Sequence, residues 1–179
     1  MMKTATGLIV SALALGFSSQ VMAQAAVEIE WDKPEKFRDV RPSNENRKKF
    51  KNATFRHIDE YMKKLAEDLP KSKKLLMTVS DLDLAGEVMP ASFAGLGHSA
   101  SEVRVIKSID IPRITFSYQL LGESGEVEKQ AEVKLKDMSF LDSSNRHFQN
   151  DRLRYEKNML SRWFKKEFQD YFVEEEAKS

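Results

Sequence analysis

The sequence predicts an α+β fold: a two-layer sandwich in which two long helices pack on one face of a mainly antiparallel sheet of four to five strands. Several segments show the alternation of apolar and polar residues that is typical of strands with one buried face. Two long segments have apolar residues at every third or fourth position, the pattern of amphipathic helices. The segments follow each other as strand, helix, three or four strands, helix, which suits a single domain over residues 24–173.

The first strand and the first helix occupy the beginning of this domain. Val27, Ile29 and Trp31 alternate with glutamates, which predicts a strand. Ser43 is a suitable N-cap for the helix, and Pro70 ends it. The apolar stripe of the helix consists of Phe50, Thr54, Ile58, Tyr61, Leu65 and Leu69.

The middle of the chain contains the remaining strands. Three are predicted at residues 74–83, 102–107 and 113–121, and a fourth follows the turn GESGE, with Ala131, Val133 and Leu135 on one face. The last two strands form the clearest hairpin in the chain.

The second helix closes the domain. We expect it to start at an N-cap formed by Asn150 or Asp151 and to end near Phe172, with residues 174–179 as a disordered tail. Its main apolar stripe consists of Leu153, Leu160, Phe164, Phe168 and Tyr171. Tyr155, Met159 and Trp163 form a second apolar ridge beside it.

The N-terminus has the pattern of a secretory signal peptide over residues 1–23. Lys3 precedes an apolar run, and Val21 and Ala23 hold the small-residue positions of a cleavage site. The run is about ten residues long, whereas a transmembrane helix needs about 20. We therefore predict cleavage after Ala23, a soluble periplasmic protein that begins at Gln24, and no transmembrane segment after processing.

The composition excludes several classes of function. The 179 residues include no cysteine, which rules out thiol catalysis, thiolate metal sites and a lipid anchor on cysteine. Without the signal peptide the chain has 28 basic and 28 acidic residues, so its overall charge gives no attraction to nucleic acid. Residues 33–74 contain 14 Lys and Arg against 7 Asp and Glu, which indicates either a positive face on the first helix or a solvated helix surface.

Asp81 and Asp83 are the first candidate site, in the stretch SDLDLAGEVMP. A calcium loop counted from Asp81 lacks the later ligands, because Ala85 and Ser92 hold positions five and twelve. An acid–base pair would have its two carboxylates about 6–7 Å apart on one side of a strand. The third interpretation is that the aspartates face water at the end of a strand and that Gly86 and Pro90 make the turn.

The three histidines do not have a recognisable metal-ligand spacing. His57 lies beside the apolar stripe of the first helix, where we expect a partly buried packing residue. His98 and His147 lie in polar loops and could meet in space, and Ser99 follows His98 without the strand–turn–helix context of a nucleophile elbow. We expect no metal and no cofactor.

The aromatic ridge of the second helix is the second candidate site. Tryptophan and tyrosine are enriched at interaction hot spots, and Arg154 and Arg162 flank the ridge as possible rim contacts. The alternative is that the ridge covers the sheet. We expect Trp163 to pack in the core and Tyr155 to be partly exposed.

Five segments also carry a resemblance to a known family. In order and spacing they are WDKPEKFRDVR, DLDLAGE, DIPRITFSYQL, KDMSFL and RLRYEKNMLSRWFKKEF. From Val27 to about Phe168 the chain resembles the exported bacterial family called domain of unknown function 3016. The resemblance implies a Gram-negative setting and no particular activity. It draws attention to residues inside the matching segments, namely Asp81, Asp83, Gly86, Arg154, Tyr155 and Trp163.

Three functions follow from these observations. The first is a soluble, non-enzymatic periplasmic module that binds another envelope protein or a small ligand, with Asp81, Asp83, Glu87, Arg154, Tyr155 and Trp163 as candidate binding residues. The second is a hydrolase or metal-dependent enzyme that uses Asp81 and Asp83, with His98 or His147. The third is a structural or stress-related envelope protein.

Overall fold

The computed structural model describes residues 25–37, 39–43, 46–97, 102–142, 148 and 150–176. These residues form an α+β fold, as predicted. In chain order the elements are β1 (Ala26–Trp31), α1 (Arg47–Leu65), β2 (Lys74–Asp83), β3 (Glu87–Pro90), β4 (Glu102–Val105), β5 (Arg113–Leu121), β6 (Val127–Lys136), α2 (Arg154–Glu167) and α3 (Gln169–Glu176). The predicted signal peptide lies outside the described residues. None of the described helices is both long enough and apolar enough to cross a membrane.

Four strands form one sheet in the order β1-β2-β5-β6, and β3 and β4 form a separate two-stranded sheet. The β2–β5 and β5–β6 ladders are antiparallel, but β1 runs parallel to β2. The sheet is therefore mixed. The physical reason is that α1 returns the chain to the end of the sheet where β1 began, which is the connection that parallel neighbours require.

The alternation of apolar residues places the main core on one face of the four-stranded sheet. Helices α1 and α2 contribute to the same buried cluster, which includes Val27, Leu75, Met77, Val79, Phe116, Tyr118, Ile58, Met62, Leu160 and Phe164. The opposite face is polar, with Thr78, Ser117, Gln119 and Gln130 among its residues. One-sided alternation along β2 and β5 thus predicts correctly which face is buried.

The helix ends differ from the sequence predictions. Asn46, and not Ser43, is the N-cap of α1, because its side-chain oxygen accepts hydrogen bonds from the amides of Lys48 at 3.0 Å and Lys49 at 3.2 Å. The second predicted helix is two helices, separated at Phe168. Lys129 Nζ hydrogen-bonds the Glu167 carbonyl oxygen at 2.6 Å, which satisfies an acceptor at the break.

The start of α2 and the end of α3 can also be compared with the sequence predictions. Asp151 lies before the helix, as predicted, and its side chain accepts a hydrogen bond from the Leu153 amide at 2.8 Å. The N-cap position itself is Leu153, whose side chain makes no capping hydrogen bond. Helix α3 continues to Glu176, into the stretch for which the sequence predicts a disordered tail.

Gly86 marks the point where the chain leaves β2 and enters the β3–β4 hairpin. Its φ of 71° lies in the left-handed region, and a Cβ at this position would overlap the Val105 carbonyl oxygen. The predicted turn from Gly86 to Pro90 is wrong, because residues 87–90 form β3 and pair with β4. The pairing was hidden in the sequence, since β3 has only four residues and ends in proline.

Candidate functional site

The structure places Asp81 and Asp83 at the end of β2, beside a β-bulge. The β2–β5 register shifts between Val79 and Asp81, so that Ser80 and Asp81 are both exposed and the following leucine returns to the core. Asp83 Oδ2 lies 2.7 Å from Arg113 Nη1. Burial raises the pKa of Asp83, and the Asp39 carboxylate adds to this. The described residues contain no group of three histidine or carboxylate side chains that could hold a metal ion.

Trp163 packs in the main core, as predicted. Its ring makes edge contacts with Phe116 at 4.7 Å, Tyr118 at 5.5 Å and Phe168 at 5.7 Å between centroids. These contacts hold α2 against the middle of β5. Trp163 is therefore part of the helix–sheet contact and is only 8% exposed.

Tyr155 lies in a small second cluster with Ala85 and Phe140. The prediction of partial exposure is wrong, because the residue is 8% exposed and its ring meets Phe140 edge-on at 5.0 Å. The Arg154 guanidinium lies 4.6 Å from the centre of the same ring and donates to the Tyr155 hydroxyl at 2.6 Å. The predicted ridge is thus divided between two buried clusters.

The other predicted residues do not join these aromatic side chains. Glu87 is exposed at the start of β3, opposite Val105. His57 is exposed and not partly buried, and its Nδ1 lies 3.5 Å from Glu60 Oε2. His98, Ser99 and His147 lie outside the described residues. The candidate residues from the sequence therefore do not form one site.

An ion pair between a buried glutamate and a half-buried arginine connects the β3–β4 hairpin to the start of α2. Glu156 is 1% exposed, and its Oε1 accepts hydrogen bonds from the Ala85 amide at 2.8 Å and from Arg104 Nη2 at 2.6 Å. Arg104 Nε also donates to the Ala85 carbonyl oxygen at 2.5 Å, and its Nη1 donates to the carbonyl oxygen of Arg152. One arginine on the hairpin thus fixes the end of β2 and the backbone just before α2.

A cleft of about 210 Å³ lies next to this ion pair, between α1, the β3–β4 hairpin and the segment before α2. Its buried lining consists of Phe50, Thr54, Leu84 and Leu153, and Ala53 and Val88 are half-buried. Four basic side chains complete the lining: Lys49, His57, Arg104 and Arg152. We call it the cationic cleft. It combines an apolar interior with a positively charged rim.

The charges around the cationic cleft do not cancel. Glu156 balances Arg104, and Asp151 is paired with Lys157 at 2.5 Å. Although burial opposes it, hydrogen bonds from Lys157 and the Leu153 amide lower the pKa of Asp151. In the described part of the chain neither Lys49 nor Arg152 has an ion-pair partner. Counted over the described residues, the rim therefore keeps a net positive charge.

Arg152 is held in place at the rim. Its guanidinium carbon lies 5.7 Å from the centre of the Phe50 ring, in a cation–π contact, and its carbonyl oxygen is bound by Arg104. Its backbone is thus held by Arg104, and its exposed side chain lies against the Phe50 ring before any ligand arrives. A guanidinium offers two parallel N–H donors, the geometry that carboxylates accept.

A broader depression of about 800 Å³ lies on the polar face of the four-stranded sheet. Its lining includes Glu28, Glu30 and Glu132, and Glu28 is paired with Lys74 at 2.8 Å. The polar side chains there are those that the strand alternation turns toward solvent. We therefore take the cationic cleft, which has a buried apolar interior and a supporting ion pair, as the candidate site.

Sequence reasoning missed most of the cationic cleft. The basic stretch at residues 33–74 did indicate a positive face on α1, where Lys49 lies. Arg104 lies between two valines in a short strand, and Arg152 directly precedes the apolar helix stripe. An arginine beside apolar residues at each of these positions was the available signal, but neither position indicates that the two residues meet in the fold.

Comparison with known proteins gives one match. The family model described as "Protein of unknown function (DUF3016)" matches residues 25–166. No curated protein and no solved structure matches the chain. All residues that line the cationic cleft lie within the matched range.

Proposed function

Because the chain belongs to the DUF3016 family, whose function is unknown, we propose its role from its own geometry: a non-enzymatic binding module that holds an anionic ligand in the cationic cleft. The observation that carries this proposal is a pair of basic residues, Lys49 and Arg152, that have no acidic partner among the described residues and lie beside an apolar interior. A preformed concave site with a few convergent polar groups is the usual form of a ligand site. The charge of the rim selects anions.

Binding explains the lining better than catalysis does. The side chains around the cationic cleft are cations and apolar groups, which attract and hold an anion. The rival enzyme would use Asp81 and Asp83, but Asp81 is exposed on the bulge and Asp83 is engaged by Arg113. The placement of these two aspartates does not favour an acid–base pair, so we do not propose a hydrolase.

The proposed setting is the periplasm. The support is the signal-peptide pattern at residues 1–23, with cleavage after Ala23, and the absence of cysteine for a lipid anchor. A soluble periplasmic module would meet its ligand either free in that compartment or as part of another envelope protein. N-terminal sequencing of the exported protein tests the setting, with Gln24 as the expected first residue.

The binding role is tested by charge reversal in the cationic cleft. Immobilised wild-type protein is compared with the Lys49→Glu/Arg152→Glu variant for retention of anionic compounds and acidic proteins from a periplasmic extract. The matched control is Lys63→Glu/Lys64→Glu, which makes the same charge change in the last turn of α1. We expect the cleft variant alone to lose its ligand, and retention by the wild type to weaken with salt. Equal retention by the cleft variant and the wild type would contradict the proposal.

A further inference from the structure

We infer that the cationic cleft takes a small organic carboxylate that bears a single apolar group about the size of a phenyl ring. This inference rests on the proposed function and names the ligand class of that site. It depends on three observations: the volume of the cleft, its apolar interior and the fixed position of Arg152.

The volume limits the apolar part of the ligand. An apolar cavity of about 150 Å³ in another protein accommodates benzene. The cationic cleft, at about 210 Å³, therefore has room for one ring and a short linker, and not for a long acyl chain. Its buried lining, with Phe50, Leu84 and Leu153, would cover such a ring with aromatic and aliphatic contacts.

The interior also excludes a purely inorganic anion as the best ligand. Phosphate alone would bring only charge and would leave the apolar interior unfilled or filled with water. An amphipathic anion can place its ring against Phe50 and Leu153 and its charge at the rim. Both halves of the cleft are then used.

The basic side chains of the rim determine which charged group the ligand carries. Arg104 is committed to Glu156 and to two backbone carbonyl groups, so it acts as a positioning residue for the backbone of Arg152. Arg152 has a guanidinium placed over Phe50 and no acidic partner in the described residues, which leaves its fork available to a carboxylate. Lys49 adds positive charge from the side of α1.

The probes are 3-phenylpropionate, its neutral amide and inorganic phosphate, each titrated into the full-length mature protein and followed by calorimetry and NMR. We expect the acid to bind at least about tenfold more tightly than the amide, the usual effect of a charge-assisted hydrogen bond. Phosphate should compete only weakly with 3-phenylpropionate for the cationic cleft. Arg152→Met should reduce the affinity for the acid to that for the amide, while the exposed control Lys64→Met should leave both unchanged.

Three results would overturn the inference: equal binding of acid and amide, tighter binding of phosphate than of the acid, or no binding of the acid. The first would remove the role of Arg152, and the second would make the site a general anion site. If the acid fails but Lys49→Glu/Arg152→Glu still abolishes retention from the extract, the carboxylate assignment is wrong and the proposed function stands. If charge reversal has no effect either, both are wrong. Circular dichroism of each variant verifies that it is folded.

Discussion

Glu156 shows how a single residue can support a site that it does not line. It is nearly inaccessible to solvent, and only one of its two oxygens has a hydrogen-bond partner within the described residues. A buried charge of this kind has a large desolvation cost, which its partner offsets only with good geometry. Through Arg104 it fixes the carbonyl group of Arg152, and thereby the rim of the cationic cleft.

We predict strong coupling within this ion pair. Glu156→Met removes the counter-charge of the half-buried Arg104 and should lower the free energy of unfolding by about 3 kcal/mol. Arg104→Met leaves the buried Glu156 carboxylate without its partner and should cost at least as much, about 3–5 kcal/mol. The double variant replaces both charges with apolar side chains and should be more stable than either single one. Urea denaturation of the four proteins gives the coupling energy, and strictly additive effects would contradict the prediction.

Asp83 gives a prediction for pH dependence. Burial and the Asp39 carboxylate raise its pKa above the ordinary 3.8, and Arg113 only partly offsets them. The folded protein therefore holds this proton more tightly than the unfolded chain does, so the contribution of Asp83 to stability is lost as the pH rises through its folded pKa. Asp83→Asn should raise the urea midpoint at pH 7, and the gain should disappear below about pH 3.8.

Asp81→Asn is the matched control for this experiment, because Asp81 is two residues away on the exposed bulge. It should change stability by less than about 0.5 kcal/mol at either pH. A lower midpoint for Asp83→Asn at pH 7 would mean that the ion pair with Arg113 outweighs burial, contrary to the prediction.

For the strands and helices, the sequence patterns succeeded where the local pattern and the tertiary contact agree. The bounds of β2 and β5 were predicted to the residue, because both strands have one buried and one solvated face. The prediction of one continuous helix after Asp151 was wrong. Its apolar stripe does extend past Phe168, but that side chain packs against Tyr118 and Trp163 and the helix is interrupted there. Helical periodicity cannot reveal such a break, since the stripe remains buried on both sides of it.

Gly86 and Gly95 allow a matched test of how the β3–β4 hairpin is attached. Both have positive φ, 71° and 74°, but a Cβ at Gly86 would overlap the Val105 carbonyl oxygen, whereas one at Gly95 would meet open space. Gly95→Ala should cost about 1 kcal/mol for its backbone conformation. Gly86→Ala should cost about 3 kcal/mol or more, because steric overlap is added. Equal losses in thermal denaturation would show that the hairpin moves away freely.

The cationic cleft is assembled from segments that are distant in the sequence. Glu156 lies 52 residues from Arg104 and 71 from Ala85, and Phe50 belongs to the first helix. Sequence patterns describe each segment alone, so they identified strands, helices and the basic stretch around α1. They could not reveal that Arg104, Arg152 and Lys49 surround one cavity, because that depends on how the hairpin is docked.

This docking leads to the last prediction, which concerns hydrogen exchange. A two-stranded hairpin is marginally stable on its own, so β3 and β4 should owe their protection mainly to Arg104 and to the apolar contact of Val88. Peptides that cover residues 87–90 and 102–105 should exchange faster than those from β2 and β5. Glu156→Ala should accelerate exchange in the hairpin far more than in β5, and saturating 3-phenylpropionate should slow it, since Val88 and Arg104 line the cationic cleft. If the hairpin and β5 exchange at the same rate in all three samples, the hairpin opens only when the whole domain unfolds, and the ion pair between Arg104 and Glu156 is not what docks it.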